Sequence, residues 1–295
     1  FIIILGYNQI TKKIITKAIA QGIRAVVVEK DSLKIEKLML ESFTPTVPVL
    51  RSDTLSVRVL ESAGLTKKNC KAIVSLFDDD MVNLKNTLIT KTLNKNVKIA
   101  VKATTINHTE NLVDVDADII VNPFSIISSE INIALTAPNI FKLEKWLYKI
   151  DTLSAPLRIF PKGLYIICGY GRMGQKIFEK LDKNNIEVKF IEIDPKRGKE
   201  LSADEKNYVV FGNADDRDFL VQTGIMDAVS IVAVTNDDTT NLSILATAKK
   251  LNPSIMTMAR ENDLADDFLF KSAKVNHIFT PSKILVNKVT NALFN

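Results

Sequence analysis

The chain repeats itself. The run Ile167-Cys168-Gly169-Tyr170-Gly171-Arg172-Met173-Gly174-Gln175-Lys176-Ile177 echoes Ile4-Leu5-Gly6-Tyr7-Asn8-Gln9-Ile10-Thr11-Lys12-Lys13-Ile14, with Gly169 standing 163 residues after Gly6. Glu192-Ile193-Asp194 follows Glu29-Lys30-Asp31 at the same spacing. Further on, Val232-Ala233-Val234-Thr235-Asn236-Asp237-Asp238 with Asn241-Leu242 matches Val74-Ser75-Leu76-Phe77-Asp78-Asp79-Asp80 with Asn83-Leu84, now 158 residues apart, as do Thr280-Pro281 and Asn122-Pro123. So small a drift over so long a stretch means duplication with short loop changes, that is, two copies of one domain. A chain of 295 residues has room for about two domains, each long enough to bury a core of its own. Only the second copy keeps all three glycines of the turn.

Within each copy, short apolar runs alternate with longer amphipathic segments. The runs are 1–5, 25–28, 47–50, 72–76, 99–101 and 119–121 in the first copy, and 164–168, 188–191, 209–211, 230–234, 255–258 and 277–279 in the second. They lack the polar alternation of a half-exposed strand, which suits a parallel sheet buried on both faces. Helical spacing between them, as at Ile177, Leu181 and Ile186, implies βαβ crossovers. The predicted fold class is α/β: two tandem Rossmann-like domains, each a doubly wound parallel sheet. The first spans 1–137 and the second 163–295. Between the sheets, 124–135 reads as a helix, Thr136-Ala137-Pro138-Asn139 as a turn and 140–150 as a second helix, followed by a linker to residue 162. The second helix carries Ile140, Leu143, Leu147 and Ile150 on one stripe, with Phe141 and Trp146 beside it. So apolar a helix needs a partner surface: its own domain, the sister copy or another subunit.

Composition excludes several classes of function. With 46% hydrophobic and 25% charged residues the chain is globular and not disordered. The net charge of +5 is spread over pairs such as Lys12-Lys13, Lys67-Lys68 and Lys249-Lys250, with no dense basic run, so nucleic acid is not an expected partner. No apolar run approaches the roughly 20 residues of a membrane span. Cys70 and Cys168 lie in or beside apolar strands and read as core thiols in a reducing compartment. No metal-ligand spacing is present, and no metal site is predicted. The chain opens on the strand-like Phe1-Ile2-Ile3-Ile4-Leu5 and ends inside a predicted helix, so it reads as a soluble piece of a longer polypeptide.

The chemistry concentrates at Gly169-x-Gly171-x-x-Gly174. The first glycine allows the tight turn, the second lets backbone approach a pyrophosphate, and the third lets the helix pack close to the strand. The helix N-terminus then faces the phosphates with its free amides and positive dipole end. Glu192 falls 18 residues beyond Gly174, at the end of the second strand, where an acid accepts hydrogen bonds from ribose hydroxyls and disfavours a 2′-phosphate. Nucleotide binding is therefore predicted for this copy. Arg172, inside the turn, reads as a phosphate contact or a surface arginine. Gly212-Asn213-Ala214-Asp215 reads as the adenine side or an ordinary turn, and Asp237 as a cleft residue or an N-cap. In the first copy Asn8 and Thr11 replace two of the glycines, which predicts a Rossmann shell that has lost the dinucleotide pose. Asp78, Asp79 and Asp80 there read as a helix start, or more weakly as a cation site.

Gly-Tyr-Gly-Arg-Met-Gly, Ile-Glu-Ile-Asp, Gly-Asn-Ala-Asp and Val-Thr-Asn-Asp-Asp-x-x-Asn-Leu together resemble the RCK domain, also called the Trk/Ktr nucleotide-binding domain, over essentially the whole chain. The first copy resembles the degenerate RCK domains of ligand-gated potassium channels, and the segment around Pro138 resembles the crossover through which members pair. The resemblance implies regulation of potassium transport. It implies pairing into dimers and, with two copies per chain, a tetrameric ring of eight domains beneath a potassium channel pore carried on the same or a partner chain. That places the chain on the cytoplasmic side of the cell membrane, touching it only through the pore. By resemblance Gly169, Gly171, Arg172, Met173, Gly174, Glu192, Asp194, Asn213, Ala214 and Thr235 would line the nucleotide cleft, and Arg260 would reach a phosphate. The ligand would be NAD or NADH, or alternatively ADP or ATP. Three departures stand out. No small C-terminal subdomain fits between the copies, Asn213 replaces a common aspartate, and Lys102, Thr104 and Arg260 stand where some relatives carry calcium-binding carboxylates.

The alternatives are a peripheral subunit of a Trk/Ktr transporter and, from another class, an NAD-dependent oxidoreductase. Against the enzyme stand the lack of a substrate domain and of a Tyr-x-x-x-Lys pair, and the remoteness of His108 and His277 from the glycine turn. A purely structural dimerisation module accounts for the first copy and leaves the intact turn of the second unexplained.

Overall fold

The structure is a computed structural model and describes residues 1–52, 56–137, 161–181 and 186–294. The first repeat builds a six-stranded parallel sheet from β1 (Ile2–Leu5), β2 (Ala25–Glu29), β3 (Val49–Arg51), β4 (Ala72–Ser75), β5 (Lys98–Lys102) and β6 (Ile119–Val121), in the order β3-β2-β1-β4-β5-β6. Its helices are α1 (Gln9–Ala20), α2 (Ser32–Met39), α3 (Val57–Ser62), α4 (Asp80–Leu93) and α5 (Ile106–Asp114), followed by α6 (Pro123–Thr136). The second repeat builds the same sheet from β7 (Tyr165–Cys168), β8 (Val188–Glu192), β9 (Val209–Phe211), β10 (Ser230–Ala233), β11 (Met256–Arg260) and β12 (His277–Phe279), with β7 between β8 and β10 as β1 lies between β2 and β4. Its helices are α7 (Arg172–Lys180), α8 (Arg217–Thr223), α9 (Asp238–Leu251), α10 (Asp267–Ser272) and α11 (Pro281–Phe294).

The central strands are buried along their whole length, as runs of Ile and Val without alternation require. β7 and β10 stay paired to their carboxyl ends, and because the strand order reverses at this pair, the connections that follow them leave toward opposite faces and open a crevice at the edge of the sheet, the place where ligands bind in such sheets. Both thiols are free and buried. Burial pushes the Cys168 thiol up and the Cys70 thiol up to about 11.

One buried amide fixes the end of the central strand in each copy. Asn241, on α9 and fully buried, accepts from the Thr235 backbone N–H at 3.0 Å and hydroxyl at 2.8 Å. Its Nδ2 donates to the Thr235 and Arg260 carbonyls, tying the loop after β10 to the end of β11. Asn83 holds the loop after β4 to Lys102 in the same way. Asn241→Ala strands several buried backbone groups at once, so we expect a loss of about 3 kcal/mol in urea denaturation.

The compact units do not follow the repeats. Phe1–Pro123 together with Ser282–Asn295 form one unit, and Phe124–Pro281 the other. The sequence reading sets the domain limits at 137 and 163; by compactness α6 groups with the second sheet and α11 with the first. The physical reason is an apolar stripe on each helix that must be covered. Phe124, Ile127, Ile131 and Ala134 are buried on α6, and Leu285, Val286 and Val289 on α11. In the first unit the Lys17 ammonium on α1 donates to the Asn287 side-chain carbonyl of α11 at 3.0 Å. The helix–turn–helix crossover expected beyond Ala137, with its second apolar helix and most of the linker, lies outside the described residues.

Candidate functional site

The glycine turn of the second repeat is a cradle of bare backbone. Gly169 leaves β7 with φ +103°, and a Cβ on it would lie 3.2 Å from the Thr235 nitrogen. Tyr170 anchors the turn from beneath. Its ring is fully buried against Phe190 and Phe178, with centroids 5.1 and 5.9 Å away, and its hydroxyl donates to Glu205 Oε1 at 2.7 Å. Gly171 is the N-cap of α7 and no side chain caps that helix. The amides of its first turn, the positive end of the helix, are thus left for a ligand. Gly174 packs α7 onto the turn so tightly that a Cβ would lie 2.2 Å from the Gly169 carbonyl oxygen.

This cradle is the floor of a cavity of about 490 Å³ at the carboxyl ends of β7, β8 and β10. That volume falls within the roughly 300–1,000 Å³ of small-molecule sites. Of the residues singled out from the sequence, Gly169, Gly171, Arg172, Met173, Glu192, Asn213, Ala214, Thr235 and Arg260 line it. Gly174 and Asp194 are not among the lining residues. Gly174 acts through close packing. The Asp194 carboxylate is engaged in capping the 3-10 turn Pro195–Lys199, where it accepts from the Lys196 N–H. Sequence reasoning missed Arg197, Ile193, Thr240 and Ile244, which also line the cavity. Arg197 Nη1 donates to the Tyr170 carbonyl at 3.0 Å and so reaches across to the glycine turn. Its only sequence signal is the basic run Lys196-Arg197-Gly198-Lys199, which carries no motif spacing.

Glu192 has a structural task as well as a place in the cavity wall. Buried at 6% exposure, it accepts from the Tyr170 N–H through Oε2 and from the Asp194 N–H through Oε1, both at 3.0 Å. Glu29 does the same in the first repeat, accepting from the backbone of Tyr7, Lys30 and Asp31. The acid therefore ties the glycine turn to β8 whether or not a ribose is bound, which explains its presence in the copy that has lost the other glycines. Asn213 lines the cavity with its side-chain carbonyl already closing an Asx turn onto the Asp215 N–H. Asp237 is both an N-cap, accepting from the Thr240 N–H, and a cavity residue.

The first repeat has filled its own cradle. Asn8 caps α1, its Oδ1 accepting from the Ile10 and Thr11 amides at 2.9 and 3.0 Å, while the Thr11 hydroxyl accepts from the Asn8 N–H. Those are amides that an anion would use. Phe77, matching Thr235, packs its ring on Gly6, and Lys102, matching Arg260, pairs with Asp78. Asp79 caps α4, and the Asp80 carboxylate receives the Thr104 backbone and hydroxyl. Among the described residues no group of three or more His, Cys, Asp or Glu could hold a metal ion.

The model of the TrkA-N domain matches residues 2–123 and again 165–281. The chain belongs to the TrkA-N domain family. It is a tandem member, with one such domain per repeat. It is 35% identical over 121 residues to "Potassium channel protein 1" of Methanocaldococcus jannaschii, a match covering 41% of this chain and 34% of that protein. It is 30% identical over 133 residues to "Trk system potassium uptake protein TrkA homolog" of Pyrococcus abyssi, covering 43% and 59%. The matched stretches thus span a third to three fifths of these relatives. Two solved structures share the tandem fold across 99% of this chain. They are the GsuK bound to ADP, with a TM-score of 0.74, 23% identity and 68% of that chain covered, and the GsuK channel bound to NAD, with 0.76, 18% and 63%.

Proposed function

We propose that this chain is a ligand-sensing regulatory module of potassium transport, in which the second repeat binds an adenine nucleotide, NAD(H) or ADP/ATP. The observation that carries this reading is the uncapped N-terminus of α7 above the Gly169–Gly171 backbone, opening into a cavity with Arg172, Arg197 and Arg260 on its wall. Naked amides and guanidinium groups suit a diphosphate. Glu192 on the same wall suits a ribose with free hydroxyls, and disfavours a 2′-phosphate. The likeness to potassium channel and Trk proteins supports the biological setting.

In this reading the chain assembles through its tandem domains into a ring that gates a potassium pore. The nucleotide acts by differential affinity for two ring conformations, since a ligand that binds both equally shifts nothing. The same chemistry serves a peripheral Trk subunit, for which the Pyrococcus relative speaks. In this reading the pore is carried by another segment or chain; among the described residues no helix is long and apolar enough to cross a membrane.

Calorimetry with NAD, NADH, ADP and ATP tests the nucleotide reading. Saturable binding of at least one, with one site per chain, is expected. Binding of none overturns it. With NAD and a panel of alcohols and hydroxy acids no hydride transfer is expected, and steady turnover would favour the oxidoreductase.

A further inference from the structure

Phe124 is the second residue of α6 and is buried at 2% exposure within the second unit. Two cavity arginines lie over its ring: Arg172 Cζ 5.4 Å and Arg260 Cζ 5.0 Å from the centroid. Arg172 is the first residue of α7, so its charge stands at the positive end of a helix, where a cation is disfavoured. Arg260, at the end of β11, brings a second positive charge to the same aromatic ring. Two guanidinium groups and a helix N-terminus converge here, and each repels the others. The negative face of an aromatic ring is a neutral device that attracts guanidinium and holds it in place.

Resting on the nucleotide reading above, we propose that Phe124 is a positioning residue. Its ring holds Arg172 and Arg260 together as a paired-cation clamp for the terminal phosphate of a bound nucleotide, so that phosphate number sets affinity. The phosphate nearest the adenosine is left to the bare backbone of the glycine turn, whereas a further phosphate meets the two arginines. The ligand class is therefore an adenosine 5′-diphosphate or a longer phosphate chain, in preference to a monophosphate.

The test compares ADP with AMP on the full chain by calorimetry. Phe124→Leu keeps an apolar side chain of similar bulk and removes the ring face. It should weaken ADP about tenfold and AMP less than about threefold, the scale of two partly desolvated cation–π contacts. Replacing the Phe124 ring by a fluorinated one keeps the shape and drains the face of negative charge. It should give an intermediate loss for ADP, and it serves as the decisive variant if Phe124→Leu does not fold. Equal losses for ADP and AMP in both variants would make Phe124 a packing residue and overturn the clamp. Unchanged ADP affinity in the fluorinated protein would do the same. A wild-type chain that binds ADP with no advantage over AMP overturns the clamp and leaves the nucleotide site standing. A chain that binds neither removes the nucleotide reading, and the clamp with it.

Discussion

Gly171→Asp should cost at least about a hundredfold in nucleotide affinity while leaving the fold intact. Gly171 has φ −75° and ψ −161°, a conformation open to any residue, and a Cβ there meets only Arg197 Nη1 at 3.9 Å. Space is therefore available. Aspartate is a strong N-cap, and its carboxylate would take the amides of α7 as the Asn8 side chain takes those of α1. Stability should stay level or rise by a few tenths of a kcal/mol, since glycine is only slightly worse than aspartate at a cap. Binding should fail on two counts: the amides are occupied, and a negative charge faces the phosphates, a like-charge juxtaposition that costs several kcal/mol. Calorimetry and urea denaturation on one preparation separate the two effects. Wild-type affinity in this variant would refute the cradle, and loss of the fold would refute the geometry of the turn.

Gly174→Val should strongly destabilise the second unit. The added Cβ would sit 2.2 Å from the Gly169 oxygen and 3.1 Å from its carbonyl carbon, both backbone atoms that cannot swing aside. Either α7 lifts from β7 or the turn opens. Overpacking of this kind costs about 3 kcal/mol, sometimes more, and valine adds a helix-propensity change that is small beside it. The urea midpoint of the second unit's transition should fall and nucleotide affinity should fall with it, because the same movement carries the amides away from the cavity. The first repeat carries Thr11 at the matching position, buried and bonded into its own cap, so Thr11→Gly should not mirror the effect.

Much of the fold was legible because its cause is local. Runs such as Ile2-Ile3-Ile4-Leu5 have no polar face to turn to solvent, and the three glycines of 169–174 sit where a strand meets a helix. The expected strands at 164–168 and 188–191 became Tyr165–Cys168 and Val188–Glu192. What was not legible depends on partners distant in the chain. The stripe on α6 shows that a surface is required, and nothing in it selects the second sheet over the first. Arg197 reaches the turn only because the short 3-10 segment lies across Tyr170. Asn8 and Thr11 in place of two glycines predict a first repeat without the dinucleotide pose. The structure shows the Asn8 carbonyl taking the helix amides, an outcome that spacing alone does not distinguish. Glu192 marks the limit of motif reasoning, since its twin Glu29 keeps the same backbone partners without the glycines.

Because the terminal helices are exchanged, the polypeptide passes from one unit to the other twice, at Pro123/Phe124 and at Pro281/Ser282. Cutting the second passage alone leaves the halves joined through the first, whereas cutting the first alone leaves residues 1–123 held to the rest of the chain only by their packing with α11. A clean separation needs both severed, and neither released piece would then correspond to one turn of the ancestral duplication.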